Sequence, residues 1–154
     1  MINFVIGPAC SGKSKFIETQ FPHALVIDLW DFQKDYKLFN IENILQSYKK
    51  AKDALITTIE ANPGSDIVLE HTLLKAARRA PYLDEVKEVT NQQIICYVLK
   101  PDIETYKKFC QERKVPESYY EFELLEMPSK DEGFEKIFVI KPNLNGDYVI
   151  EKAD

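Results

Sequence analysis

Two kinds of apolar pattern alternate along the chain. Short, nearly continuous apolar runs occupy residues 2–6, 24–28, 66–70, 94–99 and 136–140. Runs of this length, bounded by turn residues, are typical of strands buried inside a sheet. Between them lie longer segments in which apolar residues recur every three or four positions, most clearly from about Tyr36 to Ala61. This spacing predicts helices. Strands that alternate with helices predict βαβ units and a mainly parallel sheet.

Turn residues separate these elements. The segment Asn-Pro-Gly at 62–64 ends the long helical stretch. Near the end of the sequence, Asn-Gly at 145–146 separates the last apolar run from another short apolar segment, which predicts a hairpin. No internal repeat or linker composition interrupts the pattern. We therefore expect one α/β domain over residues 1–154. It would be a three-layer α/β/α sandwich around a mainly parallel five-stranded sheet, with a C-terminal β-hairpin.

Composition limits the partners and the cellular compartment that are expected for this protein. The 154 residues are 45% hydrophobic and 29% charged, as in an ordinary globular protein, and the net charge is −5. Because an acidic chain is not attracted as a whole to nucleic acid, such a partner would have to meet a local basic patch. The three cysteines are scattered, which disfavours disulfides and zinc and favours a reducing cytoplasm. No secretory leader is recognised, and no apolar run approaches the roughly 18 residues of a membrane span, so no membrane partner is expected.

Residues 7–14, Gly-Pro-Ala-Cys-Ser-Gly-Lys-Ser, carry the clearest chemistry. The positions that fit the phosphate-binding P-loop G-x-x-x-x-G-K-[ST] are Gly7, Gly12, Lys13 and Ser14. Such a loop turns its backbone amides, here including those of Cys10 and Ser11, toward the phosphates. Lys13 would reach the β- and γ-phosphates, and the Ser14 hydroxyl would bind Mg²⁺. A predicted strand before the motif and a helix after it support binding of ATP with Mg²⁺.

Other classes of P-loop protein fit less well. The D-x-x-G and N-K-x-D segments of a GTPase do not occur in the sequence. The apolar run 66–70 ends in the single acid Glu70, whereas many larger ATPases have paired acids at this point. A compact kinase with a basic lid helix fits best.

Four segments in order resemble the polynucleotide-kinase-like P-loop kinases, a family that phosphorylates 5′-hydroxyl ends. The segments are GPACSGKS, LEHTLLKAARRAPYLDEV, DIETYKKFCQERKVPESYY and MPSKDEGFEKIFVI. Many NTPases share the first, whereas the other three in this order are more specific. The resemblance runs nearly end to end. It implies the P-loop NTPase fold and a lid region around residues 102–127.

The resemblance also implies catalytic residues. The family's general base is an aspartate just after the second strand; Asp31, with Lys34 three residues later, is the expected match, and Asp28 is the alternative. A carboxylate there would accept the proton of the attacking hydroxyl, although a helix N-cap is a competing role for Asp31. Arg113 matches the lid arginine that stabilises charge on the transferring phosphoryl group. The charge of a solvated helix face is the competing role for Arg113.

Further matches concern the phosphate acceptor. Thr72 matches a threonine near the acceptor in the family, at the end of the third strand. Arg79, and less closely Arg78, matches an arginine pair that would hold an acceptor phosphate by bidentate hydrogen bonds. Ordinary charge on a helix surface is the alternative for both arginines.

Two positions depart from the family pattern. His71 replaces an aspartate, and Leu73 replaces an asparagine. Glu70, one place earlier, would supply the missing carboxylate to Mg²⁺. His71 would be a neutral donor to the acceptor or a packed strand-end histidine. Near the expected base, the aromatic ring of Trp30 would stack on a nucleobase or pack in the core.

The expected function is transfer of the γ-phosphate of ATP to a hydroxyl group, first of all the 5′-OH end of DNA or RNA. A small-molecule or nucleoside kinase on the same fold is an alternative, favoured by Leu73 and by the acidic composition. A non-enzymatic ATP-binding regulator is a second alternative, favoured by the altered acceptor motif and by the open choice of base.

Overall fold

The structure, a computed structural model, describes residues 1–117 and 120–153. Its strands are β1 (Ile2–Ile6), β2 (Leu25–Asp28), β3 (Ile67–His71), β4 (Ile94–Leu99), β5 (Lys136–Pro142) and β6 (Tyr148–Ala153). Its helices are α1 (Lys13–Gln20), α2 (Ile41–Ala61), α3 (Ala76–Val89), α4 (Ile103–Arg113) and α5 (Tyr120–Leu124). Two 3₁₀ turns lie at Leu29–Phe32 and Lys130–Glu132. The alternation of strands and helices follows the sequence pattern.

One helix differs from its predicted bounds. The long helix α2 starts at Ile41 rather than near Tyr36, because the Asn40 side chain accepts a hydrogen bond from the Asn43 amide at 2.9 Å and caps it there. The region expected as a lid, around residues 102–127, contains α4 and α5. Ser118 and Tyr119, which that prediction also covered, lie outside the described residues.

All six strands form one sheet in the order β2-β3-β1-β4-β5-β6. The first five are parallel, and β6 runs antiparallel to β5. The predicted five-stranded sheet is therefore one strand short, because the C-terminal hairpin, which is confirmed, adds its second strand to the same sheet. Asn143 holds the hairpin turn: its amide donates to the Asp147 carbonyl at 3.0 Å, and its side-chain oxygen accepts from the Asn145 amide at 2.9 Å.

Helices cover both faces of the sheet, as the three-layer prediction requires. On one face, α2 and α3 place Leu55 and Leu83 against the strand residue Phe4. On the other face, α1 packs Phe16 against the neighbouring strand residue Val5. Successive side chains of a strand point to opposite faces, so β1 contributes to both layers and is wholly buried.

Arg79 serves the packing of the fold, and this position does not favour its predicted role at the acceptor. The side chain is completely buried. Its Nε donates to Glu132 at 2.7 Å and a terminal nitrogen donates to the Leu73 carbonyl at 2.9 Å. Glu132 in turn accepts from the Ser129 amide at 2.8 Å. Arg79 thus ties α3 to the chain after β3 and to the turn before β5, and its guanidinium is not accessible to a substrate.

Replacing Arg79 should therefore destabilise the protein. We expect Arg79→Ala to lower the free energy of unfolding by about 3–5 kcal/mol, because it leaves the Glu132 carboxylate without its buried partner. The neighbouring Arg78 is exposed on the same helix, and Arg78→Ala should change stability by about 0.5 kcal/mol or less. Urea unfolding of both variants measures the difference. Equal stabilities would contradict the structural role of Arg79.

Candidate active site

The predicted P-loop joins β1 to α1 at the carboxyl end of the parallel strands. Gly7 must be glycine because a Cβ there would lie 2.8 Å from Ser11 Oγ and 3.0 Å from the Leu99 carbonyl oxygen. Gly12 has a φ of +96°, a backbone conformation that favours glycine. The Gly7 amide donates to the Thr72 carbonyl at 3.3 Å, which anchors the loop to the end of β3. The loop therefore has the shape required to wrap a phosphate with backbone amides.

Lys13 lies across this loop. Its Nζ donates to the carbonyl oxygens of Gly7 and Pro8 at 2.8 and 2.9 Å. Burial lowers the pKa of Lys13 to about 8, although the nearby carboxylates of Glu70 and Glu121 oppose the shift. The ammonium group thus remains mostly charged at neutral pH and is poorly solvated, which suits it to bind an anion.

A carboxylate from α5 already contacts the loop. The amide of Ala9 donates to Glu121 Oε2 at 3.3 Å. The loop thus accepts an oxyanion in this structure, although the anion is a side chain rather than a phosphate. The sequence analysis missed Glu121, because nothing in the sequence indicated that residue 121 would lie beside residue 9.

Three oxygen-bearing side chains meet beside Lys13. Ser14 Oγ donates to Glu70 Oε2 at 3.1 Å. Asp28 and Glu70 are paired residues in the register of β2 and β3, so their carboxyl groups emerge at the same edge. Burial and the adjacent Asp28 raise the pKa of Glu70 to about 7. Oxygen donors with closely spaced carboxylates are the set that Mg²⁺ prefers, so these residues fit the predicted ion.

Asp28, rather than Asp31, lies in the central cleft. Asp28 lines a cleft of about 530 Å³ together with the P-loop, Glu70 and Thr72. Its side chain accepts from the Trp30 amide at 3.0 Å and so caps the 3₁₀ turn after β2. Asp31 lies on the outer side of that turn: its carboxylate is 58% exposed and 3.7 Å from Lys34. The assignment of Asp31 as base stays a prediction, while the geometry favours the alternative Asp28.

His71 is a packed residue at the end of β3. It is 1% exposed, and burial, together with the nearby Lys13, lowers its pKa to about 3, so the ring is neutral. Nδ1 accepts from the Leu73 amide at 3.3 Å, which leaves Nε2 to donate to the Tyr82 hydroxyl at 3.0 Å. Both ring nitrogens are therefore occupied inside the protein. His71 and Thr72 both line the cleft, but Thr72 is half-buried whereas His71 is buried.

Arg113 and Arg78 occupy different surfaces. Arg113 ends α4 and lies where the central cleft meets a cavity of about 110 Å³ beside Gly12. Phe109 and the hairpin turn at 143–146 form the outer wall of that cavity. Arg78 lies in a separate shallow depression between α2 and α3. Of the two arginines, only Arg113 is therefore placed at the cleft.

Cys10 contributes packing as well as a loop amide. Its side chain packs with Tyr106 and Cys110 of α4. Burial and the neighbouring Cys110 raise the pKa of the Cys10 thiol to about 11, which keeps it protonated and unreactive. This contact connects the P-loop to α4.

Comparison with known proteins adds evidence on the fold. Neither a protein-family model nor a curated protein sequence matches the chain. An AvrRxo1-ORF1:-ORF2 complex with ATP is 12% identical over 97% of this chain and 57% of that chain, with a TM-score of 0.58. A gluconokinase from Sinorhizobium meliloti 1021 is 12% identical over 90% and 81%, with a TM-score of 0.61. Kti12 from Chaetomium thermophilum, in complex with ADP-AlF3, is 15% identical over 92% and 89%, with a TM-score of 0.58.

Because the sequence identities are low, these comparisons are informative about the backbone fold and not about individual residues. The backbone is similar to that of the gluconokinase over most of both chains, and the P-loop of this chain connects the central strand β1 to α1. The chain has the P-loop NTPase fold. It spans little more than half of the AvrRxo1 chain that it matches. Within residues 1–117 and 120–153 of this P-loop protein, no helix has both the length and the apolar character needed to cross a membrane.

The raised pKa of Glu70 predicts a pH dependence of stability. An acid with a raised pKa in the folded state stabilises the fold fully below its unfolded pKa, near 4.5, and this contribution is lost as the pH rises through about 7. We expect Glu70→Gln, which is neutral throughout, to gain stability relative to the wild type between pH 5 and pH 8. Urea unfolding in EDTA at several pH values measures this change.

The exposed Glu60 provides a control. Glu60→Gln should follow the wild-type stability at every pH. Added Mg²⁺ should reduce the difference between Glu70→Gln and the wild type at pH 8, because a bound cation replaces the proton. A stability difference between Glu70→Gln and the wild type that does not change with pH would contradict the raised pKa.

Proposed function

We propose that this protein is an ATP-dependent kinase that transfers the γ-phosphate to a hydroxyl group. One observation carries the proposal: Lys13, Ser14, Glu70 and Asp28 come together beside the P-loop in one cleft. An NTP-binding loop alone would serve many functions. Asp28 faces the cleft but does not belong to the P-loop. An acid in this position supports phosphoryl transfer to a second substrate.

The triphosphate would occupy the loop in place of Glu121. The amides of 9–14 would donate to its oxygens, and Lys13 would exchange its carbonyl partners for the β- and γ-phosphates. The adenosine would extend toward the cavity between Phe109 and the hairpin turn. Ser14, with Glu70, would hold Mg²⁺, which when bound would neutralise the charge on the phosphate oxygens.

Asp28 would act as the general base. Its carboxylate would take the proton of the acceptor hydroxyl as that oxygen attacks the γ-phosphorus. A new oxygen–phosphorus bond forms, the bond from the γ-phosphorus to the bridging oxygen breaks, and ADP leaves with that electron pair. Arg113, which reaches the cleft from the lid, would stabilise the charge on the transferring group.

Phosphoryl transfer is the direct test of the proposal. The protein is incubated with Mg²⁺ and γ-labelled ATP against nucleosides, 3′-phosphorylated nucleosides, sugars and 5′-OH oligonucleotides of DNA and RNA. We expect label on at least one of these acceptors. Lys13→Ala should lose ATP binding, as measured by the loss of thermal stabilisation by ATP. Thermal stabilisation by ATP without transfer to any acceptor would instead favour the non-enzymatic regulator.

The choice of base has its own test. Asp28→Asn should lower the transfer rate by about 10²–10⁴ with nearly normal ATP binding, because asparagine keeps the cap on Trp30 but cannot accept the proton. Asp31→Asn should leave transfer close to the wild-type rate. The reverse result would assign the base to Asp31, as the family resemblance implies.

A further inference from the structure

We infer that the phosphate acceptor is an uncharged hydroxyl compound with a flat ring that packs on Trp30, rather than the phosphorylated end of a polynucleotide. This inference rests on the proposed kinase function and specifies its substrate class. It follows from three features of the central cleft: its charges, its exposed aromatic ring, and the position of both relative to Asp28.

The charges of the cleft disfavour an acceptor phosphate. Among the described residues that line it, the cations are Lys13 and Arg113, and the anions are Asp28, Glu70 and Glu121. Both cations lie on the side of the P-loop, where the triphosphate of ATP would use them. A second phosphate, such as the one that follows a 5′-terminal nucleotide, would face carboxylates and would lack a cationic partner.

The arginine pair expected to hold such a phosphate does not reach the cleft. Arg79 is buried and bonded to Glu132. Arg78 lines a depression between α2 and α3 instead. The expectation of a polynucleotide acceptor depended on these two arginines. Arg79 is used in packing, and Arg78 lies on another surface.

The acceptor side of the cleft provides an aromatic surface. The Trp30 side chain lines the cleft and is 56% exposed, which is unusual for so large an apolar group. Val115 and Pro116 of the lid line the cleft as well, so apolar groups come from both sides. A flat ring that stacks on Trp30 would remove this surface from water.

The proposed base is bonded to the backbone of the residue that carries the ring. The Asp28 carboxylate accepts a hydrogen bond from the Trp30 backbone amide at 3.0 Å. Because Asp28 and Trp30 also line the same cleft, a compound whose ring rests on the Trp30 side chain would direct its substituents toward Asp28. Trp30 would position a hydroxyl for proton removal without touching the reacting atoms, which makes it a positioning residue for the acceptor.

Fluorescence gives a direct readout, because Trp30 is the single tryptophan of the chain. The full chain is first saturated with Mg²⁺ and a non-hydrolysable ATP analogue. It is then titrated with matched probes: thymidine, guanosine and cytidine, the 3′-monophosphates of each, and a 5′-OH octathymidylate. We expect at least one nucleoside to change the Trp30 emission. The corresponding 3′-monophosphate should bind at least about fivefold more weakly, because its phosphate approaches the carboxylates.

Kinetics of variants test the ring itself. Trp30→Ala should raise the KM for the best acceptor by about 5- to 100-fold, the range expected for loss of one stacking partner, while the KM for ATP is unchanged. Trp30→Phe, which retains a flat ring, should recover part of the effect. Phe39 is an exposed aromatic residue that does not line the cleft, and Phe39→Ala should behave as the wild type.

Several outcomes would overturn the inference. A 3′-monophosphate or the oligonucleotide that binds more tightly than the nucleoside, with an affinity that falls steeply with salt, would assign a polynucleotide acceptor. No response of Trp30 to any uncharged probe would also reject it, as would equal KM values for Trp30→Ala and the wild type. If the ATP analogue itself fails to stabilise the fold, the proposed kinase function is wrong. That result is distinguishable from the three results above, which reject only the proposed acceptor.

Discussion

The parallel pairing of β1 with β3 is the interaction on which the candidate site depends. It places Val5 opposite Glu70 and Ile6 opposite His71. The chain that leaves β1 as the P-loop therefore turns beside the end of β3, where the Gly7 amide is bonded to the Thr72 carbonyl. β2 pairs with the other side of β3 and adds Asp28 next to Glu70. Parallel strands end at the same edge, so residues distant in sequence meet there.

Several charged groups lie close together at this edge, so binding of a charged ligand would change the electrostatic balance of the site. Glu70 and Asp28 repel each other in a partly buried setting, and Lys13 offsets only part of that repulsion. A divalent cation and a triphosphate would add charges of both signs to the same cluster. The Glu121 carboxylate of α5 accepts a hydrogen bond from the Ala9 amide, so α5 is in direct contact with the P-loop. Through Glu121, α5 thus contributes to the charge balance beside Lys13.

The P-loop has the geometry that the sequence predicts, whereas two residues expected at the acceptor are bonded inside the protein. Arg79 matches a substrate residue in the sequence, yet here it joins Glu132 and Leu73 inside the protein. His71, which stands where the family has an aspartate, likewise bonds within the core, to Tyr82. Both residues were expected to contact the acceptor, and both side chains are instead bonded inside the protein.

The sequence alone determined the P-loop, the order of strands and helices, and the C-terminal hairpin, because each depends on residues that are contiguous or regularly spaced. Tertiary structure decided which of Asp28 and Asp31 faces the cleft and which of Arg78 and Arg79 is buried. Neighbouring positions on a helix point about 100° apart, so a shift of one to three residues moves a side chain from the site to solvent or core. Only packing against the other elements sets that rotation, and no local pattern of residues records it.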